Sequence, residues 1–315
     1  MSVRVVVVTA LIAMPVMGVD RFVPSPLAAA DEAMEVLRQA REALGGEARV
    51  NDVKTLILEG PFSRAMGPRQ MDGTSSLTLV LPDRLHRSEE TELPGGASVE
   101  RISVVAGETA WEDTQNRGGV GGGGMQVMTM FRGPNGQPMD PQAMEQARTR
   151  RMKAELQRWR LALLAQSDQP VTHAGVAEAA EGKADVLELA DERGQAMRLF
   201  IDQQTHLPLM LSYQEMRPRM CAMRAGGRGA GGPGAPGGGG PPPNPEEMRR
   251  QMEAQGPPPP SAITVYLAEY RSVDGVLLPH KISQSVDGQP FEEWTLEKVK
   301  LNAAVKPELF EKKSK

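Results

Sequence analysis

Cysteine is almost missing from this 315-residue chain, and the single one, Cys221, can form no intrachain disulfide in any compartment. It lies far from the N-terminus, so there is no lipobox and the chain is not expected to be acylated itself. Long apolar runs are scarce too. The stretch from Val5 to Val19 is broken by Thr9, Pro15 and Gly18 and falls short of the ~20 residues a spanning helix needs, and no second run of spanning length follows. Positive charge is not in excess: 36 basic side chains against 40 acidic ones give −4, so there is no general electrostatic reason to bind nucleic acid. Catalytic spacing is also absent. His86, His173, His206 and His280 are isolated, without His-x-x-x-His or His-x-Glu neighbours, and the glycine runs lack the Lys-Ser/Thr of a phosphate loop.

The N-terminus carries what a secretory signal needs. Arg4 supplies the positive start, the apolar run follows, and Leu27-Ala28-Ala29-Ala30 offers small residues where a signal peptidase cuts. Cleavage is expected near Ala30, making residues 1–30 a signal peptide and the mature chain periplasmic in a host with two membranes. Loss of Arg4, Arg21 and Asp20 leaves 34 basic and 39 acidic side chains, a formal charge of −5.

Glycine and proline total 59 residues, concentrated in Gly118–Gly124 and in 225–260. Such segments bury too little apolar surface to offset ordering entropy, which predicts flexible insertions at 116–139 and 218–261 within one domain spanning 31–315. The remaining ~230 residues suffice for one substantial core.

Asp31 should cap a helix to Leu44, with Met34, Leu37 and Leu44 on one stripe and Gly45-Gly46 as its stop. The period then changes to two. Alternating strands are expected from Thr55, from Ser76, over 84–92, 98–105 and 109–114, separated by turns too short for helical crossovers, hence an antiparallel meander. A second helix starts at Asp140-Pro141, with Met152, Leu156, Trp159 and Leu163 on one face. Arg148, Arg150, Arg151, Lys153, Arg158 and Arg160 make a basic face that could lie on anionic headgroups or simply in water. Strands resume over 171–178, 183–190, 195–202 and 207–214, the last with Leu207, Leu209, Leu211 and Tyr213 on one side. Three more cover 262–271, 276–286 and 291–301, separated by the hairpin signals Asp274-Gly275 and Asp287-Gly288. A change of apolar parity between Leu296 and Val299 predicts a bulge.

Several phrases resemble the LolA/LolB-like lipoprotein-sorting superfamily. They are Ala43-Leu44-Gly45-Gly46 before Val53-Lys54-Thr55-Leu56, Leu81-Pro82-Asp83-Arg84-Leu85, and Gly107-Glu108-Thr109-Ala110-Trp111. Phe200-Ile201-Asp202 with Thr205-His206-Leu207-Pro208-Leu209 joins them, with His206 where the family usually has Gly. So do Tyr270 to His280, and Val299 to Asn302 with Leu309-Phe310. The resemblance covers about 40–115, 171–214 and 262–311 and leaves out the glycine segments and most of the second helix. It implies a mainly β fold with some α, an antiparallel half-barrel of about eleven strands wrapped around helices. It also implies an apolar concave cavity that accepts a lipid or lipoprotein acyl chain without catalysis.

On that expectation the cavity candidates are Leu58, Phe62, Leu77, Leu79, Leu81, Trp111, Leu199, Ile201, Leu209, Leu211, Val265, Leu267, Leu278, Ile282 and Trp294. Burial is worth ~0.8 kcal/mol per CH₂, so one long chain repays a large cavity. No cofactor and no metal are expected. Met216, Met220, Cys221 and Met223 offer soft ligands but no fixed scaffold to hold them. The alternatives are a protein-interaction module with a filled cavity, in which an outer-membrane or other envelope protein is the partner, and an envelope hydrolase whose site is dispersed over distant strands. A monomer is expected in every case.

Overall fold

The structure, a computed structural model, describes residues 26–67, 69–93, 96–117, 140–180, 182–191, 193–216 and 259–312. The expected signal peptide through residue 25, both glycine-rich cores, Met220, Cys221 and Met223 lie outside the described residues.

The first helix, α1, covers Pro26–Ala43, and a short α2 covers Glu47–Asn51. α1 begins five residues before Asp31, with Pro at its first position, where a missing N–H costs nothing. Its buried stripe is Ala33, Leu37, Ala40 and Leu44, at i, i+4, i+7 and i+11; Met34, expected on that stripe, is 56% exposed. Gly45 closes the helix at φ +132°, so near Gly275 that any β-carbon would meet its carbonyl oxygen at 2.1 Å.

Five strands follow as the expected meander: β1 (Thr55–Met66), β2 (Arg69–Val80), β3 (Arg84–Leu93), β4 (Ala97–Ala106) and β5 (Thr109–Arg117). α3 (Pro141–Leu164) leads to a second meander of β6 (Thr172–Ala179), β7 (Gly182–Ala190), β8 (Ala196–Asp202), β9 (Pro208–Glu215) and β10 (Ser261–Ala268). The tight β8–β9 turn is held by Asp202, whose Oδ1 accepts hydrogen bonds from the Gln204 and Thr205 amides and the Thr205 hydroxyl.

The last third is more broken than the sequence pattern suggests. Each of three expected strands splits in two: β10 from β11 (Arg271–Val273), β12 (Val276–Leu278) from β13 (Lys281–Val286), and β14 (Gln289–Thr295) from β15 (Lys298–Leu301). Glu269 takes φ +55° at the first break, and Pro279-His280 makes the second. At the third, where the parity change predicts a bulge, the chain leaves one stretch of β1 and rejoins it lower down. Trp294 pairs with Phe62, whereas Val299 pairs with Leu58. Gly60 faces the break, with room for no side chain: a β-carbon there would lie 1.9 Å from the Thr295 carbonyl oxygen. These splits give fifteen strands among the described residues.

The main sheet runs β5-β4-β3-β2-β1-β14-β13-β10-β9-β8-β7-β6, with β15 also on β1. Every neighbouring pair in this order is antiparallel. The fold is therefore mainly β with α, an open antiparallel half-barrel curved around its helices. The β13–β14 hairpin lies between the two meanders. The core sits on the concave side, where Leu56, Leu58, Leu77, Leu79, Leu85, Leu187, Leu199 and Ile201 are fully buried with Leu161, Leu163 and Leu164 of α3. Among the described residues no helix is long and apolar enough to cross a membrane.

Candidate functional site

Strand register divides the concave face along its length. Leu56, Leu79, Leu85, Val105 and Ala110 stand in register across β1 to β5 and are buried apolar residues. Farther along the same face the side chains change character. Arg64 on β1, Arg87 and Glu89 on β3, Arg101 on β4, Glu112 on β5 and Glu292 on β14 continue the parity of Leu58, Leu85, Val105, Ala110 and Trp294. One end of the trough is hydrocarbon and the other is charged. Phe62, Phe291 and Trp294 stand at the border, with the Arg64 guanidinium 4.7 Å from the Phe62 ring centre and 5.9 Å from that of Phe291.

α3 lies across this trough, and at the border it leaves a cavity of about 300 Å³. This is at the small end of the range for ligand sites. Its apolar lining is Met152, Trp159, Leu211, Val265, Ile282 and Trp294; its polar lining has five arginines (64, 87, 101, 151, 158) and five glutamates (89, 112, 155, 215, 292). Trp294 is held by an Nε1 hydrogen bond to the Gly60 carbonyl at 3.1 Å.

The charges form two groups. In the first, Arg64 bridges Glu292 (2.5 Å) and Glu89 (3.0 Å), while Arg87 reaches Glu89 (2.7 Å) and Glu155 of α3 (3.0 Å). Burial pushes the Glu89 carboxyl up, but Arg87 and Arg64 outweigh it and hold the group at about 2. The same acids outweigh burial on Arg87 and Arg64, so both guanidiniums stay charged.

In the second group Arg158 of α3 lies over the Tyr213 ring, 3.7 Å from its centre. Its side chain is 8% exposed, and it faces Asp191 and Glu215 at 3.5 and 3.6 Å. Asp191 is already satisfied: it accepts the Arg193 and Gln195 amides and the Arg193 Nε–H at 2.8 to 3.0 Å. Burial opposes ionisation of Asp191, but these donors hold its carboxyl below the ordinary range. Burial drives the Tyr213 hydroxyl up to about 12 despite the neighbouring Arg158. Arg158 itself keeps two buried nitrogens, Nε and Nη2, without a hydrogen-bond partner, and Arg87 keeps its Nε so.

Of the fifteen residues singled out in the sequence, the structure brings Leu211, Val265, Ile282 and Trp294 together on the cavity wall. Leu58, Phe62, Leu77, Leu79, Leu199, Ile201, Leu267 and Leu278 are buried in the contiguous core, and Leu81 is half-buried against it. Trp111 points to the other face of β5, where its Nε1 donates to the Phe310 carbonyl at 3.2 Å in the C-terminal 3₁₀ turn, Pro307–Phe310. Leu209 does not share a side with Leu211: a register shift pairs Ile201 with Pro208 and Phe200 with Met210, leaving Leu209 as the extra residue, 39% exposed.

The basic face of α3 is largely tied down. Arg148 and Arg151 pair with Glu112, Lys153 with Glu108, and Arg160 with Asp168. Arg158 is buried, and Arg150 alone of the six is classed as exposed. The four histidines are scattered: His86 is buried on β3, His173 bridges Glu32 and Asp185 at 3.2 Å, His206 occupies the β8–β9 turn at φ +55°, and His280 donates from Nδ1 to the Leu278 carbonyl at 3.0 Å. Among the described residues no group of three or more His, Cys, Asp or Glu side chains could hold a metal.

The charged half of the trough escaped the sequence reading. Its signal was present, since Arg64 shares parity with Leu58 and Phe62, and Arg87 and Glu89 share it with Leu85.

No family model matches the chain, and no curated protein matches it. Solved structures similar to it include a domain of outer membrane lipoprotein-sorting type from Vibrio parahaemolyticus (10% identity, 88% of this chain and 97% of that one, TM-score 0.42). A DUF1329 family protein from Desulfovibrio piger is similar at 9% identity, over 91% and 97% of the two chains, with TM-score 0.41. A LolA superfamily protein from Nitrosomonas europaea is similar at 10% identity, over 89% and 97%, with TM-score 0.40.

Proposed function

We propose that this chain is an exported envelope protein that reversibly holds the acyl part of a lipid or lipoprotein between α3 and the concave sheet, without catalysis. The observation that carries the reading is the cavity beside Trp159 and Trp294. Its wall of Leu211, Val265, Ile282 and Met152 offers hydrocarbon a place out of water, and its far wall is polar. An amphiphile has the same two-sided character. Each methylene sheltered contributes ~0.8 kcal/mol, so a short chain segment already gives measurable affinity. Residues 1–30 serve as the export signal in this reading, and an apolar face that opens on demand replaces any reacting group.

A second reading, a module that recruits an envelope partner, is favoured by how much of the concave face α3 and the core already occupy. Leu58, Leu77 and Leu79 are fully buried by the chain's own side chains.

Native mass spectrometry on protein exported and purified from a two-membrane bacterium separates them. The carrier is expected as a chain beginning at Asp31 with co-purifying acyl lipid, released on collisional activation. Protein that never carries lipid under gentle conditions overturns the carrier and favours the module. A mass that retains residues 1–30 overturns cleavage near Ala30.

A further inference from the structure

We infer that the cavity takes a single-chain amphiphile with an oxyanion head, a carboxylate or a phosphate monoester, and that Arg101, Arg148 and Arg151 hold that head at the cavity rim. The inference rests on the carrier reading and names the ligand chemistry for that site.

The charges around the cavity are unevenly shared. Inside, the mostly buried Arg64 and Arg87 face three acids, Glu89, Glu155 and Glu292, and leave one negative charge over. Arg158 and Arg193 balance Asp191 and Glu215. At the rim the ratio reverses. Glu112 of β5 is shared by Arg148 and Arg151 of α3. Arg101 of β4 is exposed and lines the same cavity, and its side chain forms no hydrogen bond or ion pair among the described residues. Its direct neighbour on β3, Glu89, is already held by Arg64 and Arg87. Across on β5, Glu112 stands opposite Ser103 and so diagonally beside Arg101, at about 7–8 Å along the backbone. Three arginines against one glutamate leave the rim two positive charges in excess. Glu145, three residues before Arg148, is exposed, pairs with neither helix arginine and does not line the cavity.

This division orients a ligand. A guanidinium takes an oxyanion through paired N–H donors, and such charge-assisted bonds are stronger than neutral ones. The surplus negative charge farther in, with Glu155 on α3 part of it, opposes passage of the head beyond the rim. Behind the rim, Met152, Trp159, Leu211 and Ile282 receive hydrocarbon, and a volume of about 300 Å³ gives room for one chain. The whole chain carries −4, so its general field repels anions and attracts cations. A preference for an anionic head therefore has to come from a local excess such as this one.

The test titrates decanoate, decyl phosphate, decan-1-ol, decyltrimethylammonium and inorganic phosphate into the delipidated exported chain by calorimetry at low and high salt. The expected result at low salt is that decanoate and decyl phosphate bind at least about fivefold tighter than decan-1-ol, with the cation weaker still. High salt should shrink that lead, and inorganic phosphate alone should bind too weakly to measure. Arg101→Gln, at an exposed position without an ion pair, should lower both anions about fivefold and bring them to the level of decan-1-ol. Decan-1-ol or the cation binding as tightly as the anions, or an anion lead that survives Arg101→Gln, overturns the inference and leaves the carrier standing. Inorganic phosphate binding as tightly as decyl phosphate also overturns it, because the hydrocarbon then plays no part. Failure of all four decyl compounds to bind overturns the carrier itself. Should Arg101→Gln unfold, the ranking and its salt dependence on the unaltered protein decide.

Discussion

Trp159 of α3 meets Trp294 of β14 edge to face, with ring centroids 6.3 Å apart and planes at 76°. This contact joins the helix that roofs the trough to the hairpin that joins the two halves of the sheet. Trp294 is 1% exposed and its indole N–H is satisfied by Gly60, so Trp294→Ala removes both a large buried ring and a hydrogen bond. Urea unfolding should show a loss of about 3–5 kcal/mol. Trp159→Phe keeps a ring against Trp294 and should cost about 1 kcal/mol. Equal, small losses at both positions would show that the pair does not anchor α3.

The Arg64–Glu89–Arg87 cluster predicts sensitivity to acid. Glu89 ionises at about 2 in the folded chain, below its ordinary 4.5, so its contribution is complete above about 4.5 and is lost as pH falls toward 2. That difference corresponds to about 3 kcal/mol. His86, pushed down by burial, adds a loss of the same sign that begins below its ordinary 6.5. Thermal melts from pH 7 to 3 should show Tm falling steadily, and Glu89→Gln should lower Tm at pH 7 and flatten the slope below 4.5. An unchanged slope in that variant would remove Glu89 from the account.

Gly60→Ala should be among the most damaging small substitutions in the chain. Its β-carbon would stand 1.9 Å from the Thr295 carbonyl oxygen, which is backbone and cannot swing away. Separation of β14 from β1 at this point should cost about 3 kcal/mol or more by chemical denaturation. Gly73→Ala, where one of the close neighbours is the movable ring of Phe62 but another is the Glu90 carbonyl oxygen at 2.3 Å, should also destabilise.

Residues 216–260 join two strand ends that are already paired, since Glu215 stands opposite Ser261. Replacing 225–260 by a short Gly/Ser linker therefore removes none of the strand pairings among the described residues. Tm should stay within about 3 °C of the parent by calorimetry. A drop of more than about 8 °C would mean that the removed segment packs against the domain.

The architecture was legible because its signals are local. Period-two runs, Asp-Gly turns and the Gly45-Gly46 stop each act within a few residues and place meanders, hairpins and helix ends. Facing was harder. Leu209 has the right parity in sequence, yet one extra residue opposite Phe200 and Ile201 rotates it outward. Nothing in Gly-Glu-Thr-Ala-Trp tells that Trp111 looks toward Phe310 and not into the trough. The six basic residues of α3 resemble a solvated face until Glu112 and Glu108, forty residues away, are seen beneath them. The fold of each strand is written in its neighbours, whereas the content of the cavity depends on which distant strand arrives beside it.

The order of strands also sets an order of assembly. Residues 55–117 and 172–268 each form a self-contained meander, but Phe62 finds Trp294 only after more than two hundred intervening residues have been made. Two half-sheets must therefore wait, greasy sides open, for the closing hairpin. A chain made N-terminus first keeps its two sheets unjoined until residues 281–295 have followed. Truncations ahead of Lys281 should accordingly be captured by holding chaperones or degraded, and never accumulate as a trimmed native domain.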